Sequence, residues 1–413
     1  MNVPTIPNTA LSAELSELLS VVEPAAVADV LLQRAFGNRA TDVHLDPTAA
    51  GMRVRFRIDG QLQDILPIPS DAASSVVSRI KVMSDLDITE RRMPQDGHIS
   101  SRRFDGLTRD IRVSSLSTVH GERLVLRLMP DPTEFNGLAD LGFLPKQLET
   151  VQHLLTIPHG LVLVVGPVGS GKSTTVYSLL RELNATHRSL VTIEDPVERM
   201  LPGANQIQVD DRTGFGFVSA LRAVLRQDPN VLAIGEIRDA ETAAIACRAA
   251  MTGVLVLSTL HASSAASAVE VLKQFGVPTL MISEGLRGVI SQRLIRRISM
   301  NDREEYVPDD QLVERFDLVK GGTIARGVAT DRNFNTGYEG RVAVFETLRS
   351  SGDFRDAIDR GASTHDLTEI ARHAGMATLR ESAQQLVRDK VTSVMELERI
   401  IIDADKPGDH SSI

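Results

Sequence analysis

The sequence predicts a two-domain protein, a mostly parallel, doubly wound α/β sheet preceded by a smaller α+β domain. Short apolar runs at residues 161–165, 190–193, 231–235 and 254–259 alternate with helical segments, the grammar of a parallel sheet with helices on both faces. Upstream, residues 25–130 read as a helix, alternating segments such as MRVRFRIDG and QLQDIL, a helix near 70–84, and strands around 109–128. Between the two, the stretch DPTEFNGLADLG at 131–142 breaks the periodicity and reads as a hinge linker.

The remaining segments follow from the same rules. Residues 1–24 hold several prolines and one short amphipathic stretch at 11–22, so they read as an N-terminal arm. Residues 300–335, polar and rich in charge and glycine, read as an irregular insertion within a P-loop domain spanning 143–402, and helical patterns fill its C-terminal part. The last residues, 403–413, read as a disordered tail.

Composition narrows the function. The 413 residues are 42% hydrophobic and 24% charged, material for more than one core. No run reaches the roughly 18 to 20 apolar residues of a membrane-spanning helix, and no basic segment precedes an apolar one at the N-terminus, so the expectation is a cytoplasmic protein. A net charge of −9, the absence of tryptophan and only three tyrosines argue against a nucleic-acid translocase and for protein partners. Cys247 is the only cysteine, read as a small helix residue, and it cannot build a multi-cysteine zinc site alone.

The strongest local pattern is GPVGSGKS, between the apolar run LVLVV and a helical segment. Gly166, Pro167, Val168, Gly169, Ser170, Gly171, Lys172, Ser173 and Thr174 form the candidate phosphate cradle. Its glycines let successive N–H groups converge on phosphate at a helix N-terminus. Lys172 is expected to reach the β and γ phosphates and Ser173 to bind Mg²⁺, while Thr174 and Thr175 approach the α phosphate. A fortuitous glycine turn is the alternative, and the strand-loop-helix context tells against it.

Carboxylates at strand ends specify hydrolysis. TIEDPVER offers Glu194 at the end of one run, and GEIRD places Glu236 just beyond another, the position of a metal-water or base carboxylate. Either can be the general base. Ser258, Thr259 and His261 follow a further strand and could sense the γ phosphate. His261 taken alone is more readily a strand-end histidine satisfied by its neighbours, and its position after a strand adjoining the P-loop and Glu236 reverses that balance. Arg222 and Arg226 stand four apart in LRAVLRQDP and read as one helix face reaching phosphate, a neighbouring subunit or structural carboxylates. Arg293, Arg296 and Arg297 read as a basic helix face engaged in a salt-bridged contact.

Together these segments resemble the bacterial type II secretion and type IV pilus assembly ATPases. ATDVHLDP, RIKVMSDLDITERRMPQDG, GPVGSGKST, TIEDPVE, NVLAIGEIRDAETAAIA, TGVLVLSTLHA, SQRLIRRI and NTGYEGRVAVFE carry the resemblance, over residues 40–402. It implies a RecA-like P-loop domain preceded by a PAS-like domain, with Walker A at 166–174, an aspartate box at 192–198, Walker B at 232–239 and a histidine box at 258–261. ATP and Mg²⁺ are the implied ligands, with Glu194, Glu236, Lys172 and His261 in catalytic roles and Ser173 and Glu236 toward the metal. A homo-hexamer, peripheral attachment to inner-membrane platform proteins and phosphate-contacting arginines at Arg112, Arg123 and Arg127 are also implied. Strand arginines facing solvent, or paired with Asp110 and Glu122, are the alternative for these three.

Three departures stand out. Many members carry two CxxC pairs where residues 298–335 have no cysteine, so no zinc is expected. PQDGR reads PQDGH, with His98 replacing an arginine. The long N-terminal domain of many relatives reads as a short arm. Two functions follow: a motor powering secretion or pilus assembly, and an ATP-gated assembly or regulatory scaffold with little hydrolysis.

Overall fold

A computed structural model describes residues 10–21, 23–104, 107, 109–130, 137–210 and 213–405. The first half of the hinge expected at 131–142, and most of the tail expected at 403–413, fall outside the described residues; in the second half of the hinge Leu138–Leu141 form a 3-10 helix with Leu138 and Leu141 buried. Contacts divide the chain into two units. The first comprises Met1–Glu134, Ile298–Glu304 and Gly327–Gly340, the second Phe135–Arg297, Glu305–Arg326 and Arg341–Ile413.

In the first unit, helices α1 (Ala10–Val21), α2 (Pro24–Gly37) and α3 (Ser70–Met83) accompany six strands, β1 (Asp42–Thr48), β2 (Gly51–Ile58), β3 (Gln61–Pro69), β4 (Gln95–Ile99), β5 (Ile111–Thr118) and β6 (Gly121–Leu128). The strands form one antiparallel sheet in the order β3-β2-β1-β6-β5-β4. Strict alternation on β2 sends Met52, Val54, Phe56 and Ile58 inward and Arg53, Arg55 and Arg57 outward. Asp59 and Gly60, with φ of 50° and 85°, make the tight Asp-Gly turn that sets the β2–β3 register. Leu31, Leu32, Val76 and Ile80 cover the apolar face of the sheet, each contributing about 1.5–3 kcal/mol on burial. Leu15 of α1 is buried with them, so part of the segment expected as an arm packs into this core.

The second unit begins with α4 (Pro145–Thr156), β7 (Gly160–Val165), α5 (Lys172–Leu183), β8 (Leu190–Glu194), β9 (Asn205–Gln208), α6 (Phe217–Val224), β10 (Val231–Ile234), α7 (Ala240–Met251), β11 (Leu255–Leu260), α8 (Ser267–Gln274), α9 (Thr279–Gly285) and β12 (Leu286–Ile298). After β13 (Arg303–Tyr306), α10 (Asp310–Phe316) and β14 (Ile324–Gly327) come β15 (Tyr338–Arg349) and helices α11 (Gly352–Asp359), α12 (Thr364–His373), α13 (Leu379–Arg388) and α14 (Val394–Asp405). The seven-stranded sheet has the order β15-β12-β7-β11-β10-β8-β9. Its pairs from β12 through β9 are parallel. Every residue of β7, β8, β10 and β11 is buried, in keeping with the mostly apolar runs they make in the sequence. Two apolar clusters cover its opposite faces, one holding Leu163, Leu232 and Val256, the other Val162, Ala233 and Leu257.

Two sequence expectations need correction. Residues 293–297 lie on strand β12, so Arg293, Arg296 and Arg297 make no helix face. Their spacing suits a helix, but on the strand Arg297 is exposed and Arg296 is buried, its Nε and Nη2 both donating to Glu396 Oε1 at 2.9 and 2.7 Å. The insertion at 300–335 is also built. Strands β13 and β14 pair, Asp309 caps α10 by accepting from Leu312 N, and Phe316, Leu318 and Ile324 are buried beside Leu379 and Leu397.

Candidate active site

Strand β7 ends at Val165 and the chain turns into α5 through the glycine loop. Gly166, Gly169 and Gly171 have φ of 153°, 75° and 88°, values that L side chains avoid. A Cβ on Gly166 would stand 2.5 Å from Gln292 O and 2.6 Å from Ser170 Oγ, so the loop closes too tightly for any other residue. Pro167, Val168 and Gly169 are exposed at its tip. Ser170 is buried, and its Oγ has no hydrogen-bond partner among the described residues.

Lys172 opens α5, and its Nζ donates to the carbonyl oxygens of Gly166 (2.8 Å) and Pro167 (3.0 Å). Burial lowers its pKa to about 8, against the opposing pull of Glu236. A half-buried ammonium at a helix N-terminus, with neutral carbonyls for partners, is suited to receive an anion. Ser173 is exposed on the first turn beside half-buried Thr174. Thr175 faces inward instead: its Oγ1 donates to Gln292 Oε1 at 2.7 Å, which takes it out of the expected phosphate role.

The two carboxylates differ sharply. Glu194, at the end of β8, is buried and accepts from the Tyr177 hydroxyl, from Thr192 Oγ1 (2.6 Å) and from Gln206 Nε2 (3.2 Å). Burial and this carboxylate push the Tyr177 phenol well above its ordinary range. Glu236 follows β10 and is more accessible. It pairs with Arg238, which also lies 3.8 Å from Asp195, and its Oε2 stands 3.6 Å from His261 Nε2. Burial, then the charge of Lys172, lowers the His261 pKa, while Glu236 raises it in part.

Ser258 and Thr259 do not line the site as expected. Ser258 Oγ donates to Ile234 O (2.9 Å) and Thr259 Oγ1 to Gly235 O (2.8 Å), so both fasten β11 to the strand that presents Glu236. Helix α6 ends at Val224, so Arg226 lies beyond it, and Arg222 pairs with Glu241 at 2.5 Å. Within the first unit, Arg123 binds Asp46 (2.7 Å) and contacts His44 Nδ1 (3.1 Å), and Arg127 reaches Asp42 at 3.5 Å. The partners suggested by sequence proximity are engaged elsewhere, Glu122 with buried Lys81 (2.8 Å) and Asp110 with His98 (3.2 Å). Arg112 stands opposite both His98 and Arg127 in the strand register.

Gln292 is a residue against the glycine loop that local reasoning missed. On β12 it is 1% exposed, its Nε2 donates to Ser170 O at 2.5 Å and its Oε1 accepts from Thr175. It brackets the P-loop and the first turn of α5 from a strand far along the chain. The segment SQRLIRRI signalled it, but no spacing rule connects that segment to the glycine loop. Cys247 is buried in α7, and burial pushes its thiol up to about 12, as befits an unreactive core residue.

A glycine cradle at a helix N-terminus, a lysine inside it and a carboxylate beyond a nearby strand of the same sheet define a P-loop nucleotide-binding site. A family model described as type II/IV secretion system protein matches residues 19–399, and the chain belongs to that family. The type IV pilus assembly ATPase PilB of Thermus thermophilus is 40% identical over 390 residues, 93% of this chain and 44% of that protein. The type II secretion system protein HxcR of Pseudomonas aeruginosa is 41% identical over 394 residues, 95% of this chain and 81% of that protein. The chain thus spans less than half the length of the Thermus relative. Among solved structures, the pilus retraction motor PilT with bound ADP aligns with a TM-score of 0.62 at 25% identity, covering 90% of this chain and 96% of that one. The Legionella pneumophila ATPase DotB aligns at 0.66 over 97% and 98% of the two chains, and at 21% identity it shows the fold alone. Among the described residues no helix is long and apolar enough to cross a membrane.

Proposed function

We propose that this chain hydrolyses ATP with Mg²⁺ as a homo-hexameric motor, attached peripherally at the cytoplasmic face of the inner membrane through platform proteins, and powers type II secretion or type IV pilus-like assembly. The observation that carries the reading is the placement of Glu236, within electrostatic reach of Lys172 and 3.6 Å from His261 at the mouth of the glycine cradle. Relatives at 40 and 41% identity are a pilus assembly ATPase and a type II secretion protein, whereas the retraction motor stands at 25%. That gap favours the assembly and secretion branch.

The residues divide the work by their surroundings. Backbone N–H groups of the glycine loop and Lys172 Nζ hold the β and γ phosphates. Ser173 and, through water, Glu236 would hold Mg²⁺, which supplies charge neutralisation on the phosphate oxygens when bound. Glu236 serves as general base toward the attacking water, after Arg238 turns away from it. His261 steadies the Glu236 carboxylate. Glu194, saturated by three donors, orients the site rather than taking a proton. Arg112, Arg123, Arg127 and Arg222 contact phosphate only after exchanging the acidic partners that Arg123, Arg127 and Arg222 hold in this structure. Zinc forms no part of the proposal, since the cysteine-free segment is held by Asp302 with Arg332 (2.8 Å) and by the packing around α10.

The Arg238–Glu236 ion pair favours a second reading, an ATP-gated scaffold whose base stays engaged. Mg²⁺-dependent phosphate release over a protein concentration series, with particle mass recorded at each point, separates the two. Turnover that rises with hexamer formation and vanishes in Lys172→Ala and Glu236→Gln supports the motor. Rings that bind ATP without turnover support the scaffold.

A further inference from the structure

We propose that Glu346 is a positioning residue for hydrolysis, joining the loop that carries His261 to the first turn of α13. The inference rests on the hydrolytic reading above. Glu346 lies on β15 and is 4% exposed. Its two oxygens go to different elements: Oε1 accepts from Ala265 N at 2.6 Å, in the loop between β11 and α8, and Oε2 from Leu379 N at 3.3 Å, at the start of α13.

That loop begins at His261. The loop is also fastened at Ser263 O, which accepts from Arg293 on β12 at 2.7 Å. Helix α13 is tied to the same point of β15 by Gln147, whose Nε2 donates to Phe345 O (2.7 Å) and Ser382 Oγ (2.9 Å). An apolar side chain would fill this space as well. A buried carboxylate is costly unless each oxygen is satisfied, and here satisfaction requires the loop and the helix to be in place together. Burial raises the Glu346 pKa, the two N–H donors opposing it.

The test uses the full chain as wild type, Glu346→Gln, Glu346→Asp, His261→Ala and the double variant His261→Ala/Glu346→Gln. Phosphate release and hydrogen exchange with ATP bound are both recorded. Glu346→Gln should lower kcat about tenfold through misplacement of the loop. Its KM should stay within about twofold, and Glu346→Asp, which keeps the carboxylate, should recover part of the loss. In the His261→Ala background the same Gln substitution should change kcat by less than about twofold, because the loop's contribution is already gone. Exchange in Glu346→Gln should quicken at residues 261–267 and at the first turn of α13 together. Unchanged kcat, fully multiplicative losses, or exchange that rises evenly along the chain overturns the proposal. If the wild type releases no phosphate, the hydrolytic reading fails by itself, and paired or unpaired exchange changes still decide whether Glu346 joins the two elements. Should Glu346→Gln not fold, Glu346→Asp carries the same comparisons.

Discussion

His261 Nε2 lies 3.6 Å from Glu236 Oε2, and the two side chains come from the ends of adjacent parallel strands, β11 and β10. The register that pairs Ile234 with Ser258 leaves both residues just past the same sheet edge. Burial and then the charge of Lys172 lower the His261 pKa, which favours the neutral imidazole as a hydrogen-bonding partner beside Glu236. Glu236→Gln should therefore lower kcat by about 10²–10⁴, the contribution of a general base, while ATP binding persists. His261→Ala should cost about tenfold, as a partner that orients the base. Equal losses in the two variants, measured by phosphate release at saturating ATP, would assign His261 a direct part in proton transfer.

Glu194 offers a contrast. Its oxygens are taken by Tyr177, Thr192 and Gln206, so it has little freedom to accept a proton from water. Tyr177→Phe removes one donor and leaves the buried carboxylate short of a partner, a loss of about 1–3 kcal/mol. A thermal melt should show the drop. Turnover of this variant should fall less than in Glu236→Gln, and a loss as large would shift the base assignment to Glu194.

The parts of the site visible in the sequence are those written in consecutive residues. Gly166 to Lys172 need a strand before them and a helix after them, and both are local. Glu236 could be placed because an apolar run ends just before it. Gln292 and Tyr177 depend on partners brought by the fold, Gln292 with a loop reached only through the parallel pairing of β12 and β7. The arginines of β12 show the opposite failure: spacing compatible with a helix lay on a strand, and the partner of Arg296 sits on α14. In the first unit the β2 alternation was plain, yet Arg123 paired with Asp46 on β1, beyond the near-sequence Glu122. Strand pairing, and not proximity along the chain, chose that partner.

Gln292 leads to a third test. Its carboxamide brackets Ser170 O and Thr175 Oγ1, holding the glycine loop against the helix it feeds. Gln292→Leu roughly keeps the volume but deletes both hydrogen bonds and takes from buried Thr175 its acceptor. ATP affinity should weaken about tenfold, equivalent to about 1.4 kcal/mol, because the cradle is less preorganised. Titration with a fluorescent ATP analogue measures this. Unchanged affinity with a lowered melting temperature would reduce Gln292 to a core residue.

Glu396 provides a test of stability against pH. Fully buried, it accepts from Arg296 twice by side chain and once by backbone N–H, and from Arg399 at 2.9 Å. Burial raises its pKa, but these donors outweigh it and hold the carboxyl below the ordinary 4.5. A folded value below the unfolded one means that the unfolded chain binds more protons in the window between them. The stabilisation is thus complete above the unfolded value and is lost as pH falls through the folded one. Glu396→Gln should be destabilised by about 3 kcal/mol at neutral pH, since it strands a buried guanidinium. In urea denaturation the gap from wild type should narrow as the pH drops from about 5 to about 3. A gap of constant size across that range would mean that lost packing, and not the ion pair with Arg296, sets the cost.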